Sequence, residues 1–450
     1  MAKTGFISIL FDLHNNGTDV KTEVLAGVTS FAATMYIILV NPSILKSAGM
    51  PYNAVLTASV LISAFTSILM GLYSKNPIVV APGMSINHLM AYTIVKTQGV
   101  PWETALGCVF WSGVIYFIMI LFDRKKQLIS GVPRVLRFGL AGGIGLFIAL
   151  IGFEYAGFIK TSEAGVMSIG EMNFTTITFL IGFIITAVLM VKKVSGSFIL
   201  GIIITTILAW PIGRFWGDAT SLIETPTLVN WTGWFAMPDF SLILQLDIIG
   251  SLKLSMWPIT FVFLFTLLFD SLATIVGVCE AGNMLDEKGD PRNVRKSMKI
   301  NGLGIAVSAL LGTSPATSYI ESSTGIKEGG RTGLTAVVAG LLFLPFLFLS
   351  PLLTLVPKLA IAPVLVLAGV FMLKPLIYVR WERFEEVIPF FMAMFIMPFS
   401  YSITQGIIWG CLSWTVLKAA LGKWHQIPII MWIMDILALI FLMNVVPFAH

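Results

Sequence analysis

In the stretch Gly312-Thr313-Ser314-Pro315-Ala316-Thr317-Ser318-Tyr319-Ile320-Glu321-Ser322-Ser323-Thr324-Gly325, a carboxylate lies within a small, polar, helix-breaking segment between two long apolar runs. A second carboxylate, Asp270, lies inside the apolar sequence 267–272. Ionisable groups at membrane depth are costly and usually mark a substrate or proton pathway. Irregular backbone at that depth survives only where protein or a water-filled cavity satisfies it. Together these features favour a transporter.

The composition indicates a polytopic membrane protein. The chain has 450 residues, of which 57% are hydrophobic and only 11% charged, and its mean hydropathy is +0.91. A soluble domain carries about 25% charged residues. The net charge of +5 does not indicate a nucleic-acid partner, because the Lys and Arg residues lie in short loops between apolar runs, where they orient the chain. The three widely spaced cysteines predict neither a disulfide framework nor a metal site.

The apolar runs predict an all-α fold, since each approaches the roughly 20 residues that a transmembrane helix needs. A further apolar run, 427–447, either crosses the membrane or lies flat on it. We predict about 14 transmembrane segments, at 24–41, 53–73, 78–96, 101–122, 134–155, 173–191, 196–216, 256–278, 298–311, 313–328, 332–350, 359–378, 385–401 and 404–421.

The charges of the loops orient these segments. Alternate loops are basic, as at 124–126 and 288–299, whereas the loops on the other side carry acids such as Glu154 and Glu224. By the positive-inside rule, the N-terminus lies in the cytoplasm. We therefore predict a multi-pass protein of the cell (inner or plasma) membrane.

Two segments are abnormal in matching places. The third contains Ala81-Pro82-Gly83-Met84-Ser85-Ile86-Asn87 and the tenth contains Glu321, and both read as a short strand that enters a half-helix. Seven spans per repeat is an odd number, so the two repeats have opposite topology, and paired broken segments point to a midplane binding site. We predict a core domain from 1–132 (spans 1–4) and 251–355 (spans 8–11), and a gate domain from 133–250 (spans 5–7) and 356–450 (spans 12–14 and the last apolar run).

The half-helices define a candidate binding site. Starts near Gly83 and Glu321 would aim free backbone N–H groups at the protein centre, and we expect the preceding strands to offer unpaired backbone groups as well. A carboxylate accepts hydrogen bonds from adjacent ligand N–H groups, Asn87 supplies a donor and an acceptor, and Tyr319 could stack on a planar ring. The predicted substrate-binding residues are Glu321, Asp270, Asn87, Tyr319, Gly83, Met84 and Ser322.

Each of these residues also has a purely structural interpretation. Either carboxylate could be a satisfied polar group of a helix bundle, Asn87 could join two helices, and Tyr319 could serve packing alone. His88 would point about 100° away from Asn87 on a helix, which favours packing or support of the binding residues from behind. We assign the same supporting position to Ser85 and Thr34.

The motifs resemble those of the adenine/guanine/hypoxanthine permeases, within the nucleobase–ascorbate transporter fold that the bacterial uracil permeases share. The resemblance covers nearly the whole chain. It implies fourteen spans in two inverted repeats and proton-coupled uptake of a purine nucleobase, with a gate that also mediates homodimerisation. It is carried by Thr34–Ile38 with Asn41-Pro42, Ala81–Met84 with Asn87, Phe269-Asp270-Ser271, Thr313–Ser322, and Glu328–Ala336.

Carried over to this chain, the family's eighth-span acid is Asp270 and its tenth-span acid is Glu321, the two residues to which we assign proton coupling. The chain departs from the family beside the predicted pocket. It has Ser85-Ile86-Asn87 followed by His88 where the family usually has Gly-Leu-Asn, and Ala273-Thr274 where the family usually has Gly-Thr. The preferred base therefore stays open, and no cofactor or metal is predicted.

Three other interpretations compete with a purine permease. One is a transporter of the same fold for a uracil- or xanthine-like base. Another carries an inorganic anion, although two carboxylates disfavour an anionic ligand. A channel or an enzyme is the third, but the sequence has neither repeated pore motifs nor a nucleophile–base set.

Overall fold

A computed structural model describes residues 6–122, 133–161, 167–192, 194, 197–216, 227–229, 233–282, 284, 291–353, 355–400 and 403–445. The fold is helical, as predicted, and the only strands among the described residues are very short. In chain order, the elements are α1 (Phe6–Leu10), α2 (Val20–Thr34), α3 (Ile37–Lys46), α4 (Tyr52–Leu69), β1 (Val80–Pro82), α5 (Met84–His88), α6 (Trp102–Phe122), α7 (Arg134–Tyr155), β2 (Ile159–Thr161), β3 (Met167–Ile169), α8 (Phe174–Val191), α9 (Ser197–Ala209), α10 (Trp257–Ala281), α11 (Val294–Leu311), β4 (Ala316–Ser318), α12 (Ser323–Lys327), α13 (Gly333–Phe343), α14 (Ser350–Leu353), α15 (Lys358–Met372), α16 (Phe384–Ser400), α17 (Ile403–Ala420) and α18 (Ile429–Val445).

Several helices are long enough to cross a membrane. Seven helical stretches of the described chain combine sufficient length with sufficient hydropathy. Others continue in a different helical form: α4 runs on as a π-helix over Met70–Ser74, and α5 as a π-helix over Leu89–Thr97. The first predicted span is divided into α2 and α3 at Met35 and Tyr36.

The third and tenth spans are broken as predicted, and they meet. Strand β1 pairs antiparallel with β4, with Ala81 opposite Thr317, and all residues of both strands are buried. The expectation that these strands offer unpaired backbone groups is therefore wrong where the two strands pair. Backbone N–H and C=O groups buried in a membrane protein must be satisfied internally, and each broken span supplies partners for the other.

The helices pack in two groups. Helices α2 to α6 pack with α10 to α13, around the paired strands, whereas α7 to α9 pack with α15 to α17. Contacts between the groups include those of α5 and α10 with α7, and of α2 with α9. The predicted core and gate boundaries stay a prediction, and part of each lies outside the described residues.

A buried carboxylate explains the Glu328–Ala336 motif. Glu23, in the first turn of α2, is fully buried and accepts four hydrogen bonds at the start of α13. The donors are the backbone N–H groups of Arg331, Thr332 and Thr335 and the Thr335 hydroxyl, at 2.6–3.2 Å. An anion at a helix N-terminus is stabilised by the free N–H groups and the helix dipole. This contact joins the start of α2 to the start of α13, which lie far apart in the chain.

The last apolar run forms helix α18, which packs against α17 and also contacts α10. Met431, Met434, Asp435 and Ala438 are all buried. The run is therefore attached to the helical bundle on at least one face.

Candidate substrate-binding site

The paired strands hold the starts of the two half-helices close together. The Gly83 N–H donates to the Pro315 carbonyl at 2.9 Å, and the Tyr319 N–H donates to the Val79 carbonyl at 2.9 Å. A Cβ atom at Gly83 would lie 2.9 Å from the Thr317 hydroxyl oxygen, so glycine permits this close approach. Beyond these two paired groups, the first N–H groups of each half-helix have no intrahelical partner.

Glu321 lies at the start of the second half-helix, where a turn of 3₁₀-helix, Ile320–Ser322, precedes α12. The residue is 9% exposed, and its Oε1 atom accepts a 2.8 Å hydrogen bond from the Tyr36 hydroxyl. Tyr36 is fully buried at the α2–α3 break, and its ring lies 6.4 Å from that of Phe198 in α9. The Tyr36 hydroxyl occupies one of the carboxylate's accepting positions, and a carboxylate has about four.

Asp270 lies midway along α10, the helix that contacts β4, α12 and α5. Its carboxylate interacts with the Thr317 side chain and is close enough to Glu321 for the two charges to interact. Asp270 is partly exposed, and Glu321 lies at the edge of the buried range. The structure therefore brings the two predicted carboxylates to the same place, beside the strand crossing.

Tyr319 and Ser322 connect the two broken spans to each other. The Tyr319 hydroxyl donates a hydrogen bond to the Pro82 carbonyl, and the Ser322 hydroxyl accepts from the Val79 N–H at 3.0 Å. Their polar atoms are thus engaged within the protein. What Tyr319 can still offer to a ligand is the face of its ring, which is 6.5 Å from the ring of Tyr36.

Asn87 is fully buried, one turn into the first half-helix. Neither its Oδ1 nor its Nδ2 atom has a hydrogen-bond partner in the described part of the chain. A buried polar group left unpaired costs about 1–3 kcal/mol. The side chain therefore has both a donor and an acceptor available to a ligand or a water molecule.

His88 is also buried, and its ring stacks on Tyr92 with 5.7 Å between the ring centroids. The edge of the ring meets Phe147 of α7 at 6.2 Å, so His88 lies where the two helix groups touch. Its Nδ1 atom is 2.9 Å from the Met84 carbonyl. A carbonyl only accepts hydrogen bonds, so Nδ1 carries a hydrogen, and Nε2 of the neutral ring is an acceptor with no partner among the described residues.

The remaining predicted residues have less direct positions. Met84 is buried at the start of the half-helix. The Thr34 hydroxyl donates to the Ser30 carbonyl at 2.8 Å, so its hydrogen bond is formed within α2. Ser85 belongs to α5, but its side chain lies outside the described residues, as does that of Ala273.

Sequence reasoning missed Tyr36 and Thr317 as partners of the carboxylates. Tyr36 lies within the quoted motif Thr34–Ile38, but no periodicity relates it to a residue 285 positions away. Thr317 lies in the stretch quoted first, two residues before Tyr319. Alternate residues of a strand share one face, and this was a usable signal that the two side chains lie together.

This arrangement can bind a small, planar, polar molecule. It offers two carboxylates as acceptors, an amide with both functions, backbone N–H groups at two half-helix starts, and an aromatic face. Among the described residues, the Tyr36 hydroxyl faces the Glu321 carboxylate and the Thr317 hydroxyl faces the Asp270 carboxylate. No group of three or more metal-ligating side chains occurs among the described residues.

The chain is similar to known permeases over nearly its whole length. Residues 21–409 match the model of a permease family, the xanthine/uracil permeases. The chain is 36% identical to the adenine permease AdeP of Escherichia coli strain K12, covering 98% of this chain and 96% of the relative. It is 35% identical to the guanine/hypoxanthine permease PbuO of Bacillus subtilis strain 168, covering 93% and 96%.

Among solved structures, the transmembrane domain of the cyanobacterial bicarbonate transporter BicA superposes with a TM-score of 0.63. The match covers 87% of this chain and 97% of that domain at 16% identity. At this identity the similarity shows the shared fold alone.

Proposed function

Because the chain belongs to the adenine/guanine/hypoxanthine permeases of the nucleobase–ascorbate transporter family, we propose that this multi-pass membrane protein takes up purine nucleobases by proton symport with alternating access. The relatives named for adenine and for guanine/hypoxanthine are almost equally similar to it, so adenine, guanine and hypoxanthine are all candidates.

The observation that carries the proposal is the pair of carboxylates beside the strand crossing. A purine presents adjacent ring N–H and exocyclic groups in one plane, and a carboxylate accepts hydrogen bonds from such an edge. Glu321 fits the binding role because Tyr36 fixes one oxygen of a carboxylate that lies at the start of a half-helix. The ring face of Tyr319 and the unpaired amide of Asn87 supply stacking and further hydrogen bonds.

Asp270 fits the role of proton carrier. Two carboxylates in one cavity titrate as a pair, so binding of a proton by one depends on the other. A carrier must exchange its proton with water, and the Asp270 side chain keeps some exposure. A proton on Asp270 would reduce the repulsion between the carboxylates when the base binds Glu321.

Alternating access would be a movement of the core helices, with the site, against the gate helices. The contacts of Tyr36 with Phe198 and of His88 with Phe147 join the two groups next to the site. These contacts would have to change as the core moves. The proposal also includes a cytoplasmic N-terminus, because of the charges of the loops. It further includes a homodimer formed through the gate, because of the family resemblance.

An inorganic anion is the second candidate, because BicA shares the fold. The two carboxylates favour a neutral base over an anion. Uptake of radiolabelled hypoxanthine or adenine into cells, with and without a pH gradient, tests the proposal. We expect uptake to be lost when the pH gradient is abolished. We also expect unlabelled purine bases to compete with the labelled base. Competition by inosine or sulfate as strong as that by the bases would overturn it.

A further inference from the structure

The C-terminal helix α18 contains a carboxylate that the proposed function does not use. Asp435 is only 5% exposed, and neither of its carboxylate oxygens forms a hydrogen bond of good geometry with the described residues. It is the one acidic or basic residue in the sequence of this helix. A buried, unpaired carboxylate is expensive in an apolar setting and is a functional candidate by default.

The partners of Asp435 lie on helix α17. The carboxylate interacts with Cys411 and Thr415, which are one helical turn apart. The Thr415 hydroxyl is itself buried and, like Asp435, lacks a well-formed hydrogen bond. We call Asp435, Cys411 and Thr415 the C-terminal carboxyl site.

The nearest cation on α17 is engaged elsewhere. Lys418 follows Thr415 by three positions and so shares its helix face. It is buried, and its Nζ atom lies 2.9 Å from Glu385 at the start of α16. On α10, which also contacts α18, Asp270 is a further acid rather than a counter-charge.

The C-terminal carboxyl site lies between two groups of helices. Ala438 of α18 forms a buried cluster with Ile408 of α17, and Val262 of α10 packs against this cluster. Val262 precedes Asp270 by two helical turns on the same helix. Helix α18 therefore contacts both a gate helix and the core helix that carries a carboxylate of the substrate site.

We propose that the C-terminal carboxyl site is a second proton-binding site, in which a proton on Asp435 lets α18 pack against α17 and α10. A metal cation needs several oxygen ligands, whereas the described side chains here offer one carboxylate and one hydroxyl. A proton removes the charge, and the resulting carboxyl group can donate to the Thr415 hydroxyl. Loss of that proton leaves a buried charge, which is relieved when α18 separates from its partners and admits water.

Infrared spectroscopy of the purified protein tests proton binding directly. The starting variant carries Asp270→Asn and Glu321→Gln, which remove both carboxyl groups of the substrate site. We expect a carbonyl band of a protonated carboxyl group at neutral pH, lost when Asp435→Asn is added and shifted when Asp435→Glu is added instead. A spectrum at neutral pH in which no such band depends on residue 435 would overturn the proposal. The Asp435→Glu variant decides the matter if the asparagine variant does not fold.

Hydrogen exchange of the intact full-length protein tests the consequence for α18. After correction for intrinsic exchange, exchange over residues 429–445 should rise at least about threefold between about pH 6 and about pH 9 in the unmodified protein and stay level in Asp435→Asn. An equal rise in both would refute the link between protonation and packing. Neither measurement involves a purine, so failure here and failure of the proposed transport are distinguishable.

Discussion

The Tyr36 hydroxyl donates a 2.8 Å hydrogen bond to Oε1 of Glu321, and both side chains are buried. The bond joins the break in the first span to the break in the tenth. It holds the carboxylate at the start of a half-helix in one orientation. The Tyr36 ring also meets Phe198 of α9, so the donor that orients Glu321 packs against the other helix group.

Tyr36→Phe should weaken purine binding while keeping the fold. A hydrogen bond to a charged group contributes about 1.5–3 kcal/mol, so the loss should be roughly 10- to 150-fold in affinity. Calorimetry on the purified protein measures it. Tyr52→Phe is the matched control, because its hydroxyl interacts with Ser43 instead. The Tyr36→Phe/Glu321→Gln double variant should lose less binding free energy than the sum of the losses in the two single variants. Strict additivity of the two losses would contradict the shared role.

Glu321→Gln should weaken binding more severely. The amide keeps one acceptor oxygen but replaces the other with a donor, so either the ligand N–H or the Tyr36 hydroxyl loses its acceptor. The expected loss is about 2–4 kcal/mol, or roughly 30- to 1,000-fold in affinity. Calorimetric titration with hypoxanthine and adenine checks this value. A variant that binds both bases normally would remove Glu321 from the site.

His88→Ala should change affinity by no more than about tenfold, which is about 1.4 kcal/mol, and should keep the order of preference among bases. The reason is that the ring stacks on Tyr92 and meets Phe147, as a supporting residue would. Competition uptake with several purines measures both quantities. His14→Ala, at an exposed position, is the control. Complete loss of binding with the fold intact would make the free Nε2 atom a direct ligand.

Glu23→Gln should lower stability without altering the binding site. The amide group would face backbone N–H donors that the carboxylate now satisfies, at a cost of about 2–3 kcal/mol. The midpoint of thermal unfolding of the purified protein reports the loss. Glu171→Gln changes an exposed carboxylate and should leave the midpoint unchanged. Equal midpoints for the two variants would contradict the role of Glu23 in anchoring α13.

The sequence was sufficient to predict the helical class and the broken third and tenth spans. Its long apolar runs indicate helices, and Pro, Gly and small polar residues interrupt two of these runs. It also located Asp270 and Glu321, since carboxylates in apolar sequence are conspicuous. The pairing of β1 with β4 was not predicted, because two three-residue strands far apart in the chain carry no register signal. Tyr36 was not predicted as a partner of Glu321 for the same reason, because its role depends on a contact between distant parts of the chain.

Accumulation of labelled purine in proteoliposomes under an imposed proton gradient tests the central claim most directly. The unmodified protein should concentrate hypoxanthine or adenine, whereas Asp270→Asn should bind the base within about tenfold of normal yet fail to concentrate it, because an amide carries no exchangeable proton. Collapse of the gradient should reduce purine accumulation by the unmodified protein to the level of the variant. Accumulation by Asp270→Asn equal to that of the unmodified protein, with the gradient intact, would contradict the account.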